Sequence, residues 1–118
     1  MVERSIIWVG SSRRDLRAFP RAVRRDIGLS LYAAQQGETD PSAKPLKGFG
    51  GGSVMEIVAE DRGGTWRAVY TVRFADAIYV LHAFQKKSKK GIATSNRDMN
   101  LTRQRMAEAE RIHRESQN

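Results

Sequence analysis

Five side chains between residues 67 and 87 are of the types that handle a phosphate: Arg67, Arg73, His82, Lys86 and Lys87. Arg67 and Arg73 lie six apart, so on one strand they share a face. Lys86 and Lys87 close the next apolar run, and His82 lies inside it. If the two runs pair antiparallel, the start of the first lies beside the end of the second, and Arg67 approaches Lys86 and Lys87. Fixed cations so placed hold a phosphate and stabilise the charge that builds on a pentacoordinate phosphoryl transition state. RNA carries its own nucleophile, the 2′-hydroxyl. Cleavage then asks the protein for in-line geometry, charge neutralisation and a proton acceptor. A lysine crowded by other cations can accept that proton, and so can a histidine. Each residue also has a plainer reading. Arg67 and Arg73 are also read as solvent-facing strand residues, His82 as a hydrogen-bonded core histidine, and Lys86–Lys90 as a generic polycationic loop.

The elements that must position these groups follow from pattern. Ser5-Ile-Ile-Trp-Val9, ended by Gly10, reads as a buried strand. Ser12 with Asp15 three residues on signals a helix start, and the first helix runs to about Phe19. Pro20 opens a second helix whose stripe is Phe19, Val23, Ile27, Leu31 and Ala34, terminated by Gly37. These two helices form a helical hairpin. Residues 37–52, with two prolines and five glycines, read as a loop. Gly-Phe-Gly-Gly-Gly-Ser lacks the closing Gly-Lys-Ser/Thr of a Walker loop and precedes a strand, which argues against nucleotide binding.

Three strands follow. Ser53–Glu60 puts Val54, Glu56 and Val58 on one face and Met55, Ile57 and Ala59 on the other. After an Asp61-Arg-Gly-Gly64 turn, Thr65–Phe74 puts Trp66, Ala68, Tyr70, Val72 and Phe74 on one face. Its other face carries Arg67, Val69, Thr71 and Arg73. Ala77–Gln85 is nearly continuous apolar sequence and so central, with Tyr79 and Phe84 on opposite faces. The last segment, about Thr94 to Glu115, is a helix with a thin stripe of Met99, Thr102, Met106, Ala109 and His113. So weak a face predicts a loosely docked helix or one that buries itself against a partner. The expected architecture is α+β: an N-terminal strand, a helical hairpin, a three-stranded antiparallel meander and a C-terminal helix, in one domain over residues 1–118.

Composition narrows the function. The 118 residues carry 21 Lys and Arg against 13 Asp and Glu, a net charge of +8, which attracts polyanions, chiefly nucleic acid. The excess is concentrated in residues 1–30 and 61–90. The absence of cysteine excludes disulfides, a thiolate nucleophile and cysteine-ligated zinc. Two histidines alone cannot build a histidine-rich metal site, and no Ser-His-Asp arrangement or carboxylate pair stands out, so neither metal nor other cofactor is expected. No apolar run approaches the ~20 residues of a membrane helix, and the N-terminus does not read as a signal peptide. A soluble cytoplasmic protein is the expectation, with no membrane partner.

Lys44-Pro-Leu-Lys-Gly48, the triple Gly50–Gly52, Met55-Glu-Ile57, Trp66-Arg-Ala-Val-Tyr70 and Leu81-His-Ala-Phe-Gln-Lys-Lys87 followed by a helix together resemble the RelE/ParE toxin superfamily. The resemblance covers about residues 5–115 and is closest to the phage-derived, HigB-like branch of type II toxin–antitoxin toxins. It implies a ribosome-dependent mRNA endonuclease that inhibits translation, with a helix-turn-helix antitoxin, the ribosome and mRNA as partners. It matches Arg67 to the arginine that holds the scissile phosphate, and Lys86 and Lys87 to a basic pair after the last strand. Lys87 replaces an arginine there, which keeps charge and loses bidentate geometry. Lys47, Arg73, Lys89 and Lys90 would grip RNA.

RelE-like members carry lysines on the first meander strand, where this chain has Glu56 and Val58, and a tyrosine on the terminal helix, where it has none after Tyr79. The proton acceptor is thus unassigned among His82, Lys86 and Lys47. Two other functions share these features: inhibition of DNA gyrase without nuclease activity, as in ParE-like proteins, and a basic nucleic-acid-binding module without catalysis.

Overall fold

A computed structural model describes residues 3–86 and 94–118. The elements are β1 (Ser5–Trp8), α1 (Ser12–Arg17), α2 (Arg21–Gln35), β2 (Ala43–Pro45), β3 (Val54–Asp61), β4 (Gly64–Thr71), β5 (Ala77–Lys86) and α3 (Asn96–Ser116). The strands form one mixed sheet in the order β1-β5-β4-β3-β2. β1 runs parallel to β5 and the other pairings are antiparallel. This is the expected α+β architecture, enlarged by β2, an edge strand inside the segment predicted to be a loop.

Two apolar layers cover the two faces. On one, α1 and α2 set Leu16, Val23, Ile27, Leu31 and Ala34 against Met55, Ile57, Trp66, Ala68, Tyr70, Ile78 and Val80. Pro20 is the N-cap of α2, one position before the helical turn it was expected to open. Gly37, at φ +81°, ends α2 with the Gly37 N–H donating to Ala34 and the Glu38 N–H to Ala33. That paired closure needs a left-handed residue. On the other face, α3 packs Met106 and Ala109 onto Val9, Val54, Val69, Tyr79 and Leu81.

Strict alternation fails at two places. β5 contains a bulge: Val69 pairs with His82 while its neighbour Tyr70 pairs with Val80, leaving Leu81 as the extra residue. A bulge lets consecutive side chains share a face. Leu81 and Phe84 therefore join Tyr79 in the layer beneath α3, correcting the expectation that Tyr79 and Phe84 oppose each other. The second place is the end of β4. The Thr71 hydroxyl accepts the Arg73 N–H and turns the chain out of the strand. Phe74 consequently crosses to the α3 side, edge-on to Tyr79 and stacked on His113, instead of sharing the face of Trp66.

The terminal helix is firmly docked, against the expectation from its thin stripe. Thr102, Met106 and Ala109 are buried. Arg105 adds a polar clamp, with Nη1 donating to the carbonyls of Val9 (3.2 Å) and Leu81 (2.9 Å) and Nη2 to the Ser11 hydroxyl (3.2 Å). Gly10, at φ +56°, makes room for it: a Cβ there would lie 2.6 Å from the guanidinium carbon. Among the described residues, no helix is long and apolar enough to cross a membrane.

Candidate functional site

Register explains how the cations meet. Arg67 of β4 lies opposite Val58 and Phe84, and Thr65 lies opposite Lys86. Arg67 and Lys86 are thus diagonal neighbours on one face, within reach for long side chains. On the other side Glu56 of β3 lies opposite Lys44 of β2 and diagonal to Arg67. All four line a single cleft of about 1330 Å³ on the α3 side of the sheet, together with Lys47, Glu60, Thr94, Asn96, Met99 and Arg103. α3 covers the apolar end of that face, and its first turns form a wall of the cleft.

The floor is a buried ion pair. Arg67 and Glu56 are each 7% exposed, and Arg67 Nη1 donates to Glu56 Oε1 at 2.7 Å. The second carboxylate oxygen, Oε2, accepts the Thr94 hydroxyl at 2.7 Å. Arg67 Nε is buried with no hydrogen-bond partner among the described residues. Two charges out of water persist only when closely paired and bonded, and here Thr94, from the segment leading into α3, completes the carboxylate's set. Glu56 thereby sits where the sequence suggested only a missing lysine.

The walls carry four more cations: Lys44, Lys47, Lys86 and Arg103. Just outside the lining, Asp40 accepts both the hydroxyl (2.6 Å) and the N–H (2.8 Å) of the cleft residue Ser42. These two donors hold its carboxyl below the usual carboxylate range. Gly64, at φ +138°, lets the turn between β3 and β4 lie against Gln85 at the cleft mouth, where a Cβ would be 3.2 Å from the amide nitrogen.

The candidates separate clearly. Arg67, Lys86 and Lys47 come together in the cleft. His82 does not: its buried ring stacks on Phe84, and Nε2 donates to Asp98 Oδ1 of α3 at 2.8 Å. Its register puts it on the same face as Arg67, opposite Val69, but under the start of α3, where it is a docking pin removed from the cleft lining. Arg73 is not in the cleft either. The chain leaves β4 before it, and it pairs with Glu110 of α3 at 2.8 Å. Lys87, Lys89 and Lys90 lie outside the described residues. Lys44, Glu56, Thr94 and Arg103 are among the cleft residues to which sequence reading assigned no role. Lys44 could have been found only by placing β2, since it is the cross-strand partner of Glu56. No group of His, Cys, Asp and Glu suited to a metal ion occurs among the described residues.

A family model described as "Phage derived protein Gp49-like (DUF891)" matches residues 14–107. No curated protein matches significantly. The fold is similar to that of the toxin RelE of E. coli, solved in the free state as a double arginine-to-alanine mutant. That match has a TM-score of 0.56 and 14% identity, and covers 75% of this chain and 90% of that one. A toxin–antitoxin complex, RelBE2 of Mycobacterium tuberculosis, also matches, with a TM-score of 0.49, 18% identity and coverage of 75% of this chain and 97% of that one.

Proposed function

The chain belongs to the family of phage-derived Gp49-like proteins, and from that family and its RelE-like fold we propose that it is the toxin of a type II toxin–antitoxin system. In this reading it is an endoribonuclease that cuts mRNA on the ribosome and so stops translation. A helix-turn-helix antitoxin holds it in check. The observation that carries the reading is the cationic cleft with a buried Arg67–Glu56 pair at its floor.

The chemistry follows from these groups. The RNA backbone lies in the cleft with one phosphate over Arg67. Glu56 accepts the proton of the adjacent 2′-hydroxyl, whose oxygen attacks phosphorus in line. The bond from phosphorus to the 2′-oxygen forms as the bond to the 5′-oxygen breaks. Water protonates the leaving 5′-oxygen, and the products are a 2′,3′-cyclic phosphate and a 5′-hydroxyl. Charge on the phosphoryl oxygens is met by Arg67, which has five donors and shares one with Glu56, and by Lys86. Lys47 binds the backbone on either side.

Induced expression in a bacterium, with primer extension across translated and untranslated messages, tests this. Cuts confined to translated frames are expected, and Arg67→Ala should reduce them by about 100-fold or more, the worth of a preorganised charge donor. Persistent cutting by a folded Arg67→Ala protein would remove Arg67 from the mechanism. Growth arrest with intact mRNA and accumulating cleaved DNA would replace the nuclease with a gyrase inhibitor.

A further inference from the structure

One guanidinium in the cleft has no part in the chemistry above, yet it is held in place from three sides. Arg103 lies on the second turn of α3 and lines the same cleft as Arg67. Its Nη1 donates to Asn100 Oδ1 at 3.0 Å. Its guanidinium lies over the ring of Phe49, 5.7 Å from the centroid. Gly48, at φ +99°, lets the loop before β3 approach it: a Cβ there would lie 3.1 Å from Met99 Cε and 3.5 Å from Arg103 Nη2. The glycine-rich loop thus has a definite task, which is to bring an aromatic face and open backbone against α3. None of these contacts neutralises the charge. The Glu56 carboxylate accepts from Arg67 and Thr94 on the floor, not from Arg103.

We infer that Arg103 and Lys47 form a second anion station in the cleft, binding the phosphate next to the one held at Arg67. The preferred ligand is therefore a single strand presenting at least two consecutive phosphates. This rests on the proposed RNA-cleaving function and specifies how the same cleft grips its substrate. An immobilised guanidinium loses less freedom on binding than a free side chain, and its flat face also suits stacking by a base. A cleft of about 1330 Å³ has room for more than one nucleotide.

The test uses the whole protein and oligodeoxynucleotides, which lack the 2′-hydroxyl and cannot be cut. A dinucleoside monophosphate carries one phosphate and a trinucleoside diphosphate two. Titration should show the longer probe binding about tenfold more tightly, the worth of one charge-assisted contact. Arg103→Ala should bring it to the level of the shorter probe, whose own affinity stays within twofold. The salt slope for the longer probe should fall by about 0.7, one phosphate contact on a single strand. Arg103→Lys should restore part of the difference, and thermal unfolding verifies that each variant is folded. Equal weakening of both probes, or of neither, would overturn the second station. A hexaglutamate peptide that binds as tightly as the longer probe and loses as much in Arg103→Ala would overturn its assignment to nucleic acid. If mRNA stays intact in cells while the two-probe difference holds, the station stands and the nuclease falls.

Discussion

The two faces of the sheet solve different problems with similar strands. Under α1 and α2 the contacts are almost wholly apolar, with Ile27, Ile57, Ala68, Tyr70 and Val80 essentially out of water. Under α3 the apolar layer covers the end of the face where β3 and β5 begin, around Val54, Tyr79 and Leu81, and the other end opens into the cleft around Arg67. The first face can be stabilised by area alone, at roughly 25 cal/mol per Å² buried. The second buries charge, which is costly unless every member is paired. The molecule therefore keeps an almost unbroken apolar layer on one side and its buried charge on the other.

Breaking the floor pair should have the largest effect. Glu56→Ala leaves the Arg67 guanidinium buried without its carboxylate, and a loss of about 3 kcal/mol is expected in urea unfolding. Replacing both partners, Glu56→Leu with Arg67→Met, should recover most of that loss while leaving no activity. If the single and double variants are equally stable, the pair is not desolvated and the two faces differ little in buried charge.

Arg105→Ala comes next. It removes three hydrogen bonds that tie α3 to the turn between β1 and α1 and to β5, and about 2 kcal/mol should go with them. Hydrogen exchange should show the added opening confined to α3 and the cleft wall, with α2 still protected.

The smallest effect distinguishes the dry face by pH. Burial, reinforced by the charge of Asp40, pushes the Tyr70 phenol up to about 12. Below pH ~10 this group is protonated in both states and its contribution is fully present. As pH rises from about 10 through about 12 the unfolded chain releases the proton first, and stability falls. Tyr70→Phe should flatten that alkaline slope in thermal melts. An unchanged slope would assign it elsewhere.

Much of this was legible in the chain. The alternation in β3 and β4 gave both faces of the meander, and antiparallel pairing alone brought Arg67 beside Lys86. Three features escaped for definable reasons. β2 is three residues long and set among glycines and prolines, where a period of two cannot show itself. The β5 bulge lies in a run so uniformly apolar that a one-residue slip leaves no trace in pattern, and it brought Tyr79 and Leu81 together under α3. The partners of Glu56 lie 11 and 38 residues away, one of them a threonine outside any element. The docking of α3 was underestimated because Arg105 anchors it through polar bonds that a hydrophobic stripe does not register.

The position of α3 also bears on the birth of the molecule. Thr94, Asn96, Met99 and Arg103 all reach the cleft from the last quarter of the sequence, and the Arg105 clamp joins residues 94 and 96 positions apart. A chain still under synthesis can pair its central strands and bury Arg67, yet it has no second wall and no lock between its two ends. The cleft is therefore incomplete until α3 has emerged and docked, however early the central strands pair.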